Sequence, residues 1–259
     1  MSKIKQKEIP SFLYHYTKIE NLALILKNKT IMFSSLDTVN DLTEGETSDY
    51  GSLGHFVFVS CWTATSKEHI PMWNMYTPDM AGVRIKLPTD PFQRYGKSFV
   101  PVKELFYQKE YSVQPAPLES HRIIYTNDES LLKPKFAEIR SPKEATLNLN
   151  AVGRYKPKVW SFEKEWRYIF WILPKKLISF GNESDSDEKF FQAIKNFGKK
   201  QIPMKQYFLK IRDESFEQMQ IVLGPKCSEG DKAIVKALIY SYNPKANFKS
   251  SELTGNIRN

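Results

Sequence analysis

The run Tyr14-His15-Tyr16-Thr17 places an imidazole between two phenol rings, where a strand is predicted to end and a helix to begin. A histidine in this position can donate a ring N–H to a sugar hydroxyl, and flanking tyrosines can form aromatic walls around a ligand. Taken by itself, the run favours a structural role, a half-buried histidine at a strand end. Its chemistry therefore depends on what else lies beside it.

A second cluster combines Ser60-Cys61-Trp62-Thr63 with the segment Pro71-Met72-Trp73-Asn74-Met75-Tyr76. The first part lies on a predicted strand and the second on a predicted helix. Trp73 and Tyr76 are three residues apart, so they share one helix face. This spacing is typical of aromatic packing and favours a core position for Trp73.

The third cluster is charged and covers Trp160-Ser161-Phe162-Glu163-Lys164-Glu165-Trp166-Arg167. Strand alternation predicts that Glu163, Glu165 and Arg167 lie on one face. Carboxylates beside an arginine can form a surface ladder of ion pairs. They can equally be a catalytic carboxylate that the arginine holds in place, and the residues alone leave both interpretations open.

The elements that must position these clusters follow from the hydrophobic pattern. Period-two and apolar runs predict strands, and apolar residues at helical spacing predict helices. The order of the elements is mixed rather than alternating, which predicts an α+β fold. We expect one domain over 12–242, after a flexible basic lead over 1–11 and before a loose polar tail over 243–259. The predicted strands cover 12–16, 30–34, 56–62, 82–87, 166–173, 207–211 and 220–223, and the helices 18–28, 66–76, 189–197 and 231–240.

Composition excludes several classes of protein. The chain has 259 residues, of which 41% are hydrophobic and 26% charged, unlike a coiled coil, a collagen-like chain or a disordered chain. Two cysteines exclude a disulfide scaffold and fit a reducing cytoplasm. The four histidines show no metal-ligand spacing, so we expect no metal. The charged first residues predict no signal peptide, and no apolar run predicts a membrane span.

The charge balance points to a polyanionic partner. Lys and Arg number 38 against 29 Asp and Glu, a net charge of +9, which favours nucleic acid as the partner. Lysines for phosphates and nearby aromatic rings for bases would form a single-strand surface, although a solvated charged face explains any one of these residues as well. The candidate phosphate contacts are Arg154, Lys156, Lys158, Lys199, Lys200 and Lys205.

Short motifs follow one another along the chain in a fixed order. They are Tyr14-His15-Tyr16-Thr17, Asn40-Asp41-Leu42-Thr43-Glu44, Val59-Ser60-Cys61-Trp62, Met72-Trp73-Asn74-Met75-Tyr76, Gly82-Val83-Arg84-Ile85, Trp160-x-x-Glu163-x-Glu165-Trp166-Arg167 and Ile221-Val222-Leu223-Gly224-Pro225. In these motifs the chain resembles a bacterial domain-of-unknown-function family whose members occur near phage-defence genes, and the resemblance covers roughly residues 12–240. That family is distantly similar to ADP-ribosyltransferases of the DNA-modifying DarT type.

The resemblance implies a split pair of antiparallel sheets with NAD in the cleft between them. It implies that Glu165 is the catalytic glutamate, with Glu163 as the alternative, and that His15 holds the nicotinamide ribose. The middle aromatic residue of the family pattern corresponds to Tyr76 or Trp62. Further residues expected around NAD are Tyr16, Thr17, Trp73, Arg167 as the holder of Glu165, and Asn40, Asp41 and Glu44 on a loop that closes the cleft.

Three functions are compatible with these features. The leading hypothesis is a cytoplasmic, NAD-dependent ADP-ribosyltransferase that acts on RNA or DNA as a toxin or phage-defence effector, with an antitoxin or defence protein as a further partner. The alternative is a non-catalytic nucleic-acid-binding or sensing module of the same fold. The third is a nuclease in which Asp41, Glu44, Glu163 and Glu165 hold Mg²⁺.

Overall fold

The structure of the protein is a computed structural model, which describes residues 9–101, 106–107, 111–113, 118–141, 144–174, 192, 195–197 and 202–258. The fold is α+β, as the order of elements predicts. The strands are β1 Phe12–Thr17, β2 Thr30–Ser35, β3 Glu46–Thr47, β4 Gly51–Ser52, β5 Val57–Thr63, β6 Val83–Pro88, β7 Phe106–Tyr107, β8 Tyr111–Val113, β9 Ser120–Arg122, β10 Ile124–Thr126, β11 Ala137–Ser141, β12 Glu144–Leu147, β13 Tyr155–Pro157, β14 Glu165–Pro174, β15 Gln206–Lys210, β16 Gln220–Leu223 and β17 Asn247–Ser250. The helices are α1 Ile19–Asn28, α2 Ile70–Tyr76, α3 Glu129–Leu132, α4 Asp213–Glu217 and α5 Glu229–Tyr242.

The main sheet divides at its central strand. Its path runs β17-β16-β6-β1-β5-β14-β8-β7. One edge of β5 pairs with β1 at Thr63 and with β2 at Val59 and Phe58, while its other edge pairs with β14. Two branches of the sheet therefore leave β5 on the same side, and the site described below lies at the Thr63 end.

A single row of paired residues crosses this end of the sheet. Tyr14 of β1 faces Thr63 of β5, and Thr63 faces Glu165 of β14. Backbone pairing thus fixes β1 and β14 at the same height on either side of β5. Residues far apart in the sequence meet there without any local sequence pattern.

Burial explains why β14 is central. Its sequence EWRYIFWILP is apolar over most of its length, and the stretch from Phe170 to Pro174 is buried throughout. A strand covered on both faces has this continuous apolar pattern rather than alternation. On one side α1 buries Leu22, Ile25 and Leu26 in the same core.

A second, smaller core lies under α2. Tyr16, Met72, Trp73, Met80 and Val222 form it. Two residues beyond β17, Leu253 and Ile257, pack against this core from outside. The segment that follows β17 is therefore part of the structure around α2.

The C-terminal region differs from the predicted loose tail over 243–259. β17 pairs in parallel with β16 from Asn247 to Ser250, and Asn243 and Ser251 are buried. Polar composition predicted a tail because the pairing partner of a short edge strand is not visible in the local sequence. The predicted helix 189–197 lies almost wholly outside the described residues.

A second difference concerns Glu163. It lies at the end of a 3₁₀ turn, Lys158–Glu163, rather than on the strand, and Lys164 follows with φ at 47°. This left-handed residue redirects the chain before β14 begins at Glu165. Among the residues that the structure describes, no helix has the length and apolar character needed to cross a membrane.

Candidate functional site

A pocket lies where β1, β5, α2, the 3₁₀ turn and β14 meet. The three chemical clusters of the sequence all contribute to it, although the first and the third are about 150 positions apart along the chain. The residues that line the pocket are Tyr14, His15, Tyr16, Cys61, Trp62, Met72, Tyr76, Glu163 and Glu165. Its walls are therefore mainly aromatic and apolar, and two carboxylates lie on one side.

His15 is fixed by the neighbouring strand. Its Nδ1 lies 2.8 Å from the carbonyl oxygen of Cys61, and its ring centroid is 5.1 Å from that of Trp62. A carbonyl only accepts, so Nδ1 donates and carries the proton. Burial lowers the pKa of His15, which leaves the ring neutral and Nε2 unprotonated. The expectation of an N–H donated to a ligand is thus corrected: the free ring nitrogen accepts a hydrogen bond.

Beneath the carboxylates lies a buried network of five charged residues. Lys156 Nζ lies 2.7 Å from Glu163 Oε2, 3.2 Å from Glu165 Oε2 and 3.3 Å from Glu44 Oε1. Arg167 contacts Glu165 and Glu44 through two nitrogens each. All five residues are at most 6% exposed. Three carboxylates against two cations leave one net negative charge beside the pocket.

The two pocket glutamates differ electrostatically. Burial favours the neutral form of each. At Glu165 the charges of Arg167 and Lys156 outweigh burial and hold the pKa at about 2, so this carboxylate is ionised. At Glu163, burial and the nearby charge of Glu165 raise the pKa. The same strand end thus holds a fixed anion and a carboxylate that binds a proton more readily.

Tyr76 connects α2 to this network. Its hydroxyl donates to Glu163 Oε1, and burial together with the charge of Glu163 raises the pKa of Tyr76. Tyr76 and Trp62 were alternatives for one aromatic role. Both line the pocket, but Tyr76 has its hydroxyl on a carboxylate, whereas the indole N–H of Trp62 donates to Ser60 Oγ at 2.9 Å.

Two residues belong to the site although the sequence did not predict this role for them. Tyr125 of β10 accepts a hydrogen bond from the backbone N–H of Glu165 at 2.8 Å. Lys156 of β13 was assigned to a nucleic-acid surface, yet it is 4% exposed and is paired with carboxylates. That assignment was wrong. The parallel pairing of β10 with β13 brings both residues under β14, and no short sequence motif predicts such a pairing.

The other residues expected around NAD lie in different places. Trp73 is fully buried in the smaller core, and its indole N–H donates to Glu68. It does not line the pocket, which agrees with the core position that its helical spacing favours. Thr17 accepts a hydrogen bond from Asn21 at 2.9 Å. Both residues support the pocket from behind instead of lining it.

The three residues expected on a cleft-closing loop lie in different environments. Asn40 is exposed, and Asp41 is buried with one carboxylate oxygen bound to the backbone N–H and the hydroxyl of Thr43. Neither residue lines the pocket. Glu44 is the member that reaches the site, through Arg167 and Lys156. The carboxylates suggested for Mg²⁺ are thus separated or already paired with cations, which disfavours a nuclease.

The remaining basic candidates are distributed differently. Lys158 is exposed on the 3₁₀ turn before Glu163, and Arg154 is partly buried. Lys205 pairs with Asp37 at the start of β15. Lys199 and Lys200 lie outside the described residues. The aromatic ring of Phe197 is 1% exposed and stacks on Phe56, so it belongs to the core and offers no surface for base stacking.

Comparison with known proteins gives a match to a family model over part of the chain. No curated protein and no solved structure matches the chain significantly. A family model does match, and the matched segment runs from α2 to β14, with Tyr76, Lys156, Glu163, Glu165 and Arg167 inside it and His15 before it. Residues 72–168 match the family described as a protein of unknown function (DUF2971).

Proposed function

We propose that the protein is an NAD-dependent ADP-ribosyltransferase. The observation that carries this proposal is the meeting of His15, Tyr76, Glu163 and Glu165 in one pocket. These are the residues to which the resemblance assigns ribose binding, the aromatic role and catalysis. The division of the sheet at β5 is compatible with the split sheets of such enzymes.

The chemistry needs few groups from the protein. Nicotinamide leaves NAD with the electron pair of its bond to the ribose, and positive charge develops on the ribose as in glycoside hydrolysis. The acceptor then attacks the ribosyl carbon and loses a proton. A fixed anion beside the ribose stabilises the charge, and a base nearby accepts the proton.

The two glutamates fit these two roles differently. Glu165 stays ionised because Arg167 and Lys156 lower its pKa to about 2, so it provides the fixed anion. Glu163 has a raised pKa and contacts the hydroxyl of Tyr76, so it suits proton acceptance from the acceptor. His15 accepts a hydrogen bond from a ribose hydroxyl through Nε2, and Trp62 and Tyr76 contact the nicotinamide ring.

For the acceptor we propose nucleic acid. The net charge of +9 supports this choice, and Lys158 is exposed on the turn that leads into Glu163. A role as a toxin or phage-defence effector follows from the resemblance alone. An antitoxin or another defence protein would then be its partner.

The test is transfer of labelled ADP-ribose from NAD, and its hydrolysis in the absence of acceptor, by the wild-type protein and three variants. We expect Glu165→Gln to lower the rate by at least 10²- to 10³-fold, because it removes the anion that stabilises the ribosyl cation. We expect Glu163→Gln to lower transfer more than hydrolysis. The matched control is Glu138→Gln, on an exposed position of β11.

Each variant is first checked for folding by its melting temperature. Full activity in Glu165→Gln, together with an inactive Glu163→Gln, would exchange the two roles. A wild-type protein that binds NAD in calorimetry but neither transfers nor hydrolyses would favour the non-catalytic alternative. Absence of NAD binding would refute the proposal.

A further inference from the structure

Arg84 is a buried cation that has no counter-ion among the described residues. It lies on β6, directly opposite Tyr16 of β1 and Val222 of β16, and it is 4% exposed. Within the part of the chain that the structure describes, no carboxylate lies within 4.0 Å of it; Nη1 donates to the carbonyl oxygen of Ser66 at 2.9 Å. An unpaired buried charge is costly, so this position calls for a compensating group.

Aromatic rings compensate Arg84 only in part. The guanidinium carbon lies 4.8 Å from the ring centroid of Tyr14 and 5.9 Å from that of Tyr16. Such contacts stabilise the cation through its flat face but supply no acceptors for the N–H groups at its edge. Arg84 Nε is indeed buried with no hydrogen-bond partner.

Two further buried polar atoms, one on Tyr16 beside Arg84 and one on His69 just before α2, have no hydrogen-bond partner of normal geometry. The hydroxyl of Tyr16 lies beside the Arg84 side chain and the backbone of His69, but it has no hydrogen-bond partner of normal geometry. Nδ1 of His69, at the start of α2, is buried and also without a partner. The guanidinium of Arg84 can only donate hydrogen bonds, and the Tyr16 hydroxyl can readily donate one to an anion. The group missing from this position is therefore an acceptor rather than a donor.

The pocket and Arg84 share a wall. Tyr14 and Tyr16 line the pocket, and both rings contact the guanidinium. Two residues along β6, Lys86 lies on the same face, 3.9 Å from the ring centroid of Phe12. No carboxylate among the described residues lies within ion-pair distance of Lys86 either. The face therefore carries two cations in a row that leads away from the pocket.

We propose that Arg84, with the Tyr16 hydroxyl and His69, forms a subsite for a phosphate group of the ligand whose other end occupies the pocket. A guanidinium presents donors in a planar fork that matches phosphate oxygens, and Lys86 supplies a second charge for a second phosphate. The subsite rests on the proposed function in one respect, since NAD carries a diphosphate. The phosphate of a nucleic-acid acceptor has the same chemistry.

The test measures binding of inorganic pyrophosphate, nicotinamide, NAD and a single-stranded oligonucleotide by calorimetry. The variants are Arg84→Met, which keeps the length of the side chain without its charge, and Arg84→Lys, which keeps the charge without the fork. Lys236→Met is the control, because Lys236 is exposed on α5. We expect Arg84→Met to weaken pyrophosphate binding at least tenfold and Arg84→Lys to weaken it less. Nicotinamide binding and the control should not change.

The other probes identify the source of the phosphate. Weaker NAD binding with unchanged oligonucleotide binding assigns the subsite to NAD, and the reverse assigns it to the acceptor. A wild-type protein that binds pyrophosphate through Arg84 but does not bind NAD refutes the proposed function and keeps the subsite. Wild-type affinity for pyrophosphate in both Arg84 variants, or no pyrophosphate binding by the wild type, would overturn the subsite. Should Arg84→Met fail to fold, Arg84→Lys decides.

Discussion

Arg167 is the residue on which the charge balance beside the pocket depends most. It is 1% exposed and contacts both Glu44 and Glu165. Its pKa is raised because the charges of these two carboxylates outweigh burial. Removing it leaves Lys156 alone against three carboxylates, whereas removing Glu163 leaves two carboxylates and two cations.

We therefore predict that Arg167→Met lowers the free energy of unfolding by about 3–5 kcal/mol, as expected when one partner of a buried ion pair is removed. Glu163→Gln should cost less, because the remaining charges balance. Urea unfolding of both variants at neutral pH measures the difference. A larger loss in Glu163→Gln would mean that the Tyr76 contact, and not the charge count, dominates.

The sequence predicts some of these residues and not others. His15, Tyr76 and Glu165 stand in recognisable motifs, so they could be named before the structure. The roles of Lys156 and Tyr125 in this site could not be predicted, because both residues reach it through the pairing of two three-residue strands. Arg84 stands in a quoted motif, but its lack of a counter-ion depends on three neighbouring strands and is a property of the tertiary structure.

At the scale of elements, the segment after β17 fixes α2. Glu68, just before α2, accepts hydrogen bonds from the Ser251 hydroxyl and, at 2.9 Å, from the backbone N–H of Glu252. The same carboxylate accepts from the indole N–H of Trp73 at 3.1 Å. Leu253 packs against the core that Trp73 belongs to. The position of α2, and with it one wall of the pocket, thus depends on residues beyond 250.

We predict that Leu253→Asp weakens NAD binding as well as stability. A charge placed against the smaller core displaces the segment and loosens α2, at a cost of about 1–3 kcal/mol for the lost apolar burial. Calorimetry with NAD and thermal melting measure the two effects. Ile234→Asp, at an exposed position of α5 that is 53% exposed, is the control and should change neither. Lost stability with unchanged NAD affinity would show that the segment does not act on α2.

Strands and helices could be predicted where their own sequence carries a clear pattern of buried apolar residues. The predicted segments agree to within about two residues with β1, β5, β14, β16 and α1. In each of these elements the apolar pattern extends over most of the length, so only the terminal residues are uncertain. β17 and the 3₁₀ turn before Glu165 were not predicted. Their conformations are set by pairing with β16 and by the left-handed Lys164, and neither leaves an apolar pattern.

At the scale of the whole molecule, the net charge of +9 predicts salt-dependent binding to single-stranded nucleic acid. Each phosphate neutralised contributes about −0.7 to the slope of log K against log salt, so roughly three contacts give a slope near −2. Lys158→Glu should weaken binding for every sequence and flatten the slope. Filter binding at several salt concentrations measures both quantities.

Lys236→Glu makes the same change in net charge on α5 and serves as the control. Equal losses in the two variants would indicate that the total charge, and no particular surface, attracts the nucleic acid. Millimolar affinity that does not respond to salt would remove nucleic acid as the acceptor and leave a protein or a small molecule.

The dependence of α2 on the segment after β17 also determines when the pocket is completed during synthesis of the chain. The residues that line the pocket lie between Tyr14 and Glu165 in the sequence, but the wall formed by α2 is held by residues near 253. A nascent chain that still carries these residues inside the ribosome has every catalytic candidate outside it and an unsupported α2. Ligand binding would then arise only after the residues near 253 have left the ribosome and packed against α2.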